Sequence, residues 1–169
     1  MAIQNADIMD IALKIGGYLK TNPNILDFVK EQFGKEEIQV RVGEMLHVQL
    51  PVVEDTPYLV LFDWKKREGI HIEFCVYSCK IAIGVGAGAR ANFVVDDNGV
   101  MFLDAYDVSH KFAQLIINEI NNRDDKNRPL AIIEMQGAYP IEPDGSHWNI
   151  ILECSWRVYQ TMGFNQEEF

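Results

Sequence analysis

The stretch HWNIILECSWRVY, His147 to Tyr159, decides the fold. Trp148, Ile150, Leu152, Cys154, Trp156 and Val158 occupy alternate positions and share one face of an extended strand. His147, Asn149, Glu153, Ser155, Arg157 and Tyr159 dominate the other face, interrupted by Ile151. One apolar and one polar face is the pattern of an antiparallel sheet covered on a single side, whereas a sheet buried on both sides reads as continuous apolar runs. The expected architecture is α+β, a mostly antiparallel sheet with helices packed on one face.

Helices able to cover that face are legible upstream. NADIMDIALKIGGYLKT places Ile8, Ile11, Ala12, Ile15, Tyr18 and Leu19 on one stripe, with Asn5 or Asp7 available as a cap. TNPNILDFVKEQFG has Asn22 before Pro23, apolar Ile25, Leu26, Phe28, Val29 and Phe33, and Gly34 where a helix would stop. AYDVSHKFAQLIINEINN spaces Val108, Phe112, Leu115, Ile116 and Ile120 along one stripe, with Asp104 or Asp107 near its start. RDDKNRP ends it.

The remaining segments read as strands. Ile38, Val40 and Val42 alternate with polar residues, and YLVLFDW (Tyr58 to Trp64) and IHIEFCVYSCKIAI (Ile70 to Ile83) are rich in β-branched and aromatic residues, with KKREG between them as a hairpin turn. FVVDDNGVMFL (Phe93 to Leu103) folds back around Asp97, Asn98 and Gly99, and LAIIEMQ is divided from the last strand by YPIEPDGS, with turn residues Pro143, Asp144 and Gly145. No repeat or linker divides the chain, so 1–169 is read as a single domain: a helical part over about 1–36, the sheet and long helix over about 37–160, and a short tail.

Composition narrows the function classes. Of 169 residues, 48% are hydrophobic and 24% charged, the balance of a folded globular protein. The formal charge of -10 works against generic binding to phosphate backbones, and the one basic stretch, WKKREG, reads as a solvated hairpin tip. No apolar run approaches the roughly 20 residues of a membrane span, and MAIQNADIMD has neither the basic start nor the apolar core of an export signal. With three cysteines, an odd number, the economical expectation is reduced thiols in a reducing, cytoplasmic compartment.

HIEFCVYSC, His71 to Cys79, is the stretch richest in potential ligands. On a strand, His71, Glu73, Cys75, Tyr77 and Cys79 share a direction, but at about 3.3 Å per residue Cys79 lies about 26 Å from His71, and Cys75 about 13 Å from Cys79. Zinc needs its donors within about 2.3 Å, and a disulfide needs Cα atoms within about 7 Å, so the expectation is no metal and no bridge between these two cysteines. GVGAGAR, Gly84 to Arg90, nominally carries dinucleotide spacing but leads into a strand, not a helix, and reads as a loop or bulged strand end. None of His47, His71, His110 and His147 lies in a nucleophile motif; Ser109 and His110 are adjacent on a helix and diverge by about 100°. Neither catalytic nor cofactor-binding residues are expected.

The order of elements, with PYLVLFDW, HIEFCVYS, DVSHKFAQLIINEI and AIIEMQGAYPIEPDGSHWNIILECSWRV in sequence, resembles the tail terminator, or tail completion, proteins of long-tailed bacteriophages and prophages. The resemblance covers Pro57 to Tyr159, and the chain departs from it in extra material before Pro57, including the second helix and the strand EIQVRVG. It implies a non-enzymatic structural protein, a ring that is usually hexameric, caps the tail tube and joins it to the head connector, and becomes part of the virion tail. The alternative is a small-molecule-binding or enzymatic α+β domain with its site on the polar sheet face. Under the structural reading, the expected subunit or partner interface combines His71, Glu73 and Tyr77 with Glu153, Arg157 and Tyr159, and a loop that orders on contact with Gly84, Gly86, Gly88 and Arg90.

Trp156 sits between Cys154 and Val158 on the apolar face of the last strand, and a ring of that size dominates local burial. Trp156→Ala is expected to cost about 3–5 kcal/mol, read as a lower midpoint in urea, while Arg157→Ala is tolerated. An unchanged midpoint for the tryptophan variant would reverse the assignment of the two faces.

Overall fold

The computed structural model describes residues 7–43, 57–68, 74–86, 92–122, 131–141 and 147–159, with side chains placed for 7–43, 57–67, 76–85, 92–122 and 150–155. Three helices form where the apolar spacing predicts them: α1 (Ile8–Thr21), α2 (Pro23–Phe33) and α3 (Asp104–Asn121). Asn22 alone separates α1 from α2. Its side-chain oxygen accepts hydrogen bonds from the backbone N–H groups of Asn24 (3.0 Å) and Ile25 (3.2 Å), satisfying two donors that the first turn of α2 cannot pair internally. Pro23, already set at a helical φ, follows the cap, and Gly34 ends the helix at φ 66°, a left-handed conformation that a side chain would strain. Asp104 and Asp107 lie in the first turn of α3, where the helix dipole favours negative charge.

The strands are β1 (Gln39–Val42), β2 (Tyr58–Glu68), β3 (Phe74–Gly86), β4 (Phe93–Val95), β5 (Met101–Leu103), β6 (Ala131–Ile141) and β7 (His147–Tyr159). Five of them form one sheet in the order β1-β2-β3-β7-β6, antiparallel except for β1, which pairs parallel to β2. The fold is therefore α+β and mostly antiparallel, as the alternation in β7 required. Three boundaries depart from the sequence reading. Lys65 to Glu68 are ladder residues paired with Ser78 to Cys75, so the basic stretch is strand and not a hairpin tip. β3 continues through Gly86, which places Gly84 and Gly86 in the sheet and not in a loop. β6 runs on through Tyr139 and Pro140, the start of the segment expected to separate the last two strands; at the edge of a sheet a proline need not donate to a neighbour.

The three helices lie on one face of the sheet. Ile11, Ile15 and Leu19 of α1, Ile25 and Val29 of α2, and Phe112, Ile116 and Ile120 of α3 bury against Leu59, Leu61, Ile81, Ile83, Ile150 and Leu152. Phe28 stacks on Phe112 with ring centroids 5.2 Å apart, locking α2 to α3. Cys154 is buried here, as the alternation predicts. Tyr77 is buried here too, only 1% exposed, which removes it from the expected interface. Its strand neighbours of the same parity, Cys79, Ile81 and Ile83, belong to the core, and the shorter run that suggested the opposite parity, Ile70 to Val76, is outweighed by them.

A polar node completes the helix layer. Glu119 of α3 is buried, and its carboxylate accepts hydrogen bonds from the side-chain amides of Asn22 (2.9 Å) and Asn24 (2.8 Å), while the Tyr18 hydroxyl donates to its backbone oxygen (3.0 Å). The residue that caps α2 thus also ties α2 to α3. A buried carboxylate without such donors would cost several kcal/mol.

On the opposite face Tyr58, Val60 and Ala82 form a second buried cluster, with Phe62 and Ile151 packed against it. Gly84 pairs with Tyr58 across the ladder, and a Cβ at Gly84 would clash with Cζ, Cε1 and the hydroxyl oxygen of the tyrosine. The glycine is a steric requirement of this rung and not an available contact for a partner. Gly84→Ala is expected to destabilise the fold by about 1–3 kcal/mol through overpacking, measured as a fall in Tm; an unchanged Tm would mean that the Tyr58 ring does not lie over the glycine.

Candidate functional site

The open face of the sheet acquires its chemistry from a break in β2. Phe62 pairs with Lys80 and Lys65 with Ser78, so Asp63 and Trp64 together oppose the single residue Cys79. Asp63 takes φ 52°, a left-handed conformation that aspartate tolerates better than most residues. This β-bulge resets the alternation. Trp64 packs against the helix-side core, Lys66 places its ammonium 5.8 Å from the Tyr77 ring centroid, and Lys65 shares a rung with Ser78 on the open face.

The result is a charged depression of 310 Å³ lined by Asp63, Lys65, Arg67, Lys80, Glu153 and the serines Ser78 and Ser155, with Cys79 and Cys154 contributing to its floor. Lys80 lies 3.0 Å from Asp63 and 3.9 Å from Glu153, and Lys65 lies 3.4 Å from Asp63. The hydrogen bond from Lys80 holds the Asp63 carboxyl below the usual carboxylate range, and the same bond raises Lys80 above its ordinary value. Such a surface can recognise a partner bearing both signs of charge. Among the described residues no group of three or more His, Cys, Asp or Glu side chains is placed to hold a metal ion.

Of the residues expected at an interface, Glu153 is on this open face, half exposed beside Lys80. Arg157 stands opposite Val76 and Tyr159 opposite Phe74 in the β3–β7 ladder, and Gly86 opposite His147. Tyr77 is in the core and Gly84 beneath Tyr58. His71, Glu73, Gly88 and Arg90 lie outside the described residues, and the side chain of Trp156 is likewise not described. The expected grouping therefore does not form as one surface: Tyr77 and Glu153 are on opposite sides of the sheet. Asp63, Lys65 and Lys80 were absent from it, and the signal that could have found the first two is the run FDWKKRE, whose consecutive charges break the regular alternation of the residues before it.

A second feature stands apart from the sheet. Among the described residues β4 and β5 pair only with each other, and the intervening loop is closed by Asp96, whose side-chain oxygen accepts from the backbone N–H groups of Asn98 (2.9 Å) and Val100 (2.7 Å). These bonds depress the Asp96 pKa, chiefly through the Val100 N–H, and Gly99 supplies the positive φ of 81° that the turn requires. At the base, the backbone N–H of Asp104 donates to the Asn92 oxygen (3.0 Å), so the ribbon joins directly to α3. Yet Phe93 is 65% and Met101 64% exposed, and Val94, Val95, Val100 and Tyr106 are exposed beside them. FVV and VMFL are apolar on both strand faces, a pattern that reads as an interior strand; the sequence predicted the hairpin but not that it would be presented to solvent.

Among the described residues no helix is long and apolar enough to cross a membrane. The chain matches no family model and no curated protein.

The Asp63–Lys80 pair has a pH signature. Because the folded-state pKa of Asp63 is lowered, its contribution is fully present above the unfolded value of about 3.9 and is lost as pH falls from there through the folded value. Asp63→Asn keeps a residue suited to positive φ and removes the charge. The variant is expected to be less stable at neutral pH by under about 1 kcal/mol, since the pair is only partly shielded, and to show a shallower loss of stability below about pH 4. Superimposable profiles of Tm against pH for the two proteins would rule out the coupling.

Proposed function

We propose that this chain is a structural subunit of a homo-oligomeric ring, of the tail-terminator type, that caps a phage or prophage tail tube and meets the head connector. The observation that carries the proposal is the β4–β5 arm, whose Phe93, Val95, Val100 and Met101 are exposed together on a ribbon outside the main sheet. A two-stranded ribbon is marginal in water by itself, and contiguous exposed apolar surface of this kind marks an interaction site. α1 offers a separate apolar patch, Leu13 at 60% exposure one turn from the exposed Met9. α1 packs over β1 and β2 and α3 over β7 and β3, so the arm rooted on α3 and the patch on α1 belong to different parts of the helix layer.

A head-to-tail contact needs two different patches on one chain, and repeated around an axis it closes into a ring. The arm of one copy on α1 of the next satisfies that requirement with this chain alone. The resemblance supplies the number six and the tail-tube and head-connector partners. A net charge of -10 suits a ring through which DNA passes without being held by its phosphates. An enzymatic or small-molecule-binding domain, the alternative, would use the depression beside Asp63, but its charged, open walls differ from the mostly apolar pockets that bury ligands.

Sedimentation over a wide concentration range tests this reading. The wild-type chain is expected to shift toward a closed hexamer as concentration rises, and Val95→Asp, at an exposed site with little effect on folding, to remain a folded monomer. A wild-type chain that stays monomeric throughout, and does not bind purified tail tubes, would overturn it.

A further inference from the structure

Cys79 and Cys154 stand directly opposite each other in the β3–β7 ladder, and both side chains are buried and unbridged on the helix side of the sheet. Residues facing each other across an antiparallel ladder have Cα atoms about 4.5 or 5.5 Å apart, depending on the rung, and a disulfide accepts about 4.4–6.8 Å. Both kinds of rung therefore fall within reach of a bridge. Cys75, the remaining cysteine, pairs with Val158 four residues further along β3 and faces no cysteine in the register.

We infer that Cys79 and Cys154 form an oxidisable dithiol whose co-reactant is a small peroxide and whose product is a cross-strand disulfide. One sulfur, as thiolate, attacks a peroxide oxygen; the O–O bond breaks, and a sulfenic acid and hydroxide result. The second sulfur displaces the sulfenic hydroxyl. Counting the two thiol protons, both oxygens leave as water: the two sulfurs lose two electrons together and hydrogen peroxide gains them.

Burial, followed by the hydrogen bond with the Cys154 thiol beside it, pushes the Cys79 thiol well above its usual range. The first step is therefore slow, and the pair persists reduced under mild conditions. Both cysteines also line the floor of the depression beside Asp63, which brings the open face of the sheet to the other side of their rung. Once formed, the bridge would join the two strands that run side by side through the middle of the sheet and enclose the β4–β5 arm, α3 and β6 in one covalent loop. The inference is independent of the ring assignment.

The experiment treats the intact folded chain with hydrogen peroxide, removes the excess, and alkylates in denaturant without reductant. The expected product is a monomer lighter by two hydrogens that takes one alkyl group instead of three, yields a peptide linking Cys79 to Cys154, and regains all three thiols with dithiothreitol. Cys75→Ser is expected to form the same link, and Cys154→Ser to form none within the chain. Three alkylated thiols after treatment, a link through Cys75, or over-oxidation of Cys79 or Cys154 without a link would overturn the proposal.

Discussion

The single extra residue in β2 governs how charge is sorted across this protein. Up to Phe62 the strand alternates regularly, with Leu59 and Leu61 against the helices and Tyr58 and Val60 on the open side. Continued without interruption, that alternation would turn Lys65 and Arg67 into the helix layer and Trp64 out to water. Burying two unpaired cations would cost more than any side-chain contact could return. The bulge at Asp63 avoids this with one left-handed residue, and the same aspartate then receives both Lys65, which the bulge redirects, and Lys80 of the neighbouring β3.

The two faces that result are different materials. The helix side is a continuous apolar core in which a buried charged group, the Glu119 carboxylate, is matched by amide donors from the segment that begins α2. That node makes helix capping and helix packing the same event, because Asn22 uses its oxygen for the cap and its nitrogen for the clamp. The open side grades from the buried Tyr58, Val60 and Ala82 cluster to the charged row of Asp63, Lys80 and Glu153. In the proposed assembly, polar contacts would fall at the open face and apolar ones at the β4–β5 arm, and the second would carry most of the burial energy.

Local hydrogen bonds hold the shape of the arm. Its loop is held by hydrogen bonds to Asp96 and by Gly99, and its base by the Asn92 to Asp104 pairing, so the apolar side chains are displayed on a preformed ribbon. A preformed element loses less conformational freedom on association than a segment that must first fold. Glycines 84 and 86, which composition suggested as a loop that orders on contact, are strand residues, and in the proposed ring the ribbon a few residues later takes over that part.

By itself the sequence determined the elements and one orientation. The apolar spacing of α1, α2 and α3, the Asn22-Pro23 start and Gly34 stop of α2, the Asp-Asn-Gly turn at 97–99 and the core side of β7 all follow from local pattern, because caps, turns and one unambiguous alternation depend on near neighbours. Tertiary structure decided what two parities or two environments could both satisfy. β3 carries apolar residues on both sides, and only its pairing with β7, Ile81 to Leu152 and Cys79 to Cys154, turned Tyr77 inward. The bulge at a non-glycine position, the parallel entry of β1, the face-to-face cysteines from segments far apart in the chain, and the exposure of an arm that reads as interior strand are likewise long-range outcomes. The physical reason is that burial belongs to a packed neighbour and register to a paired strand, and neither is present in the local sequence that each one orients.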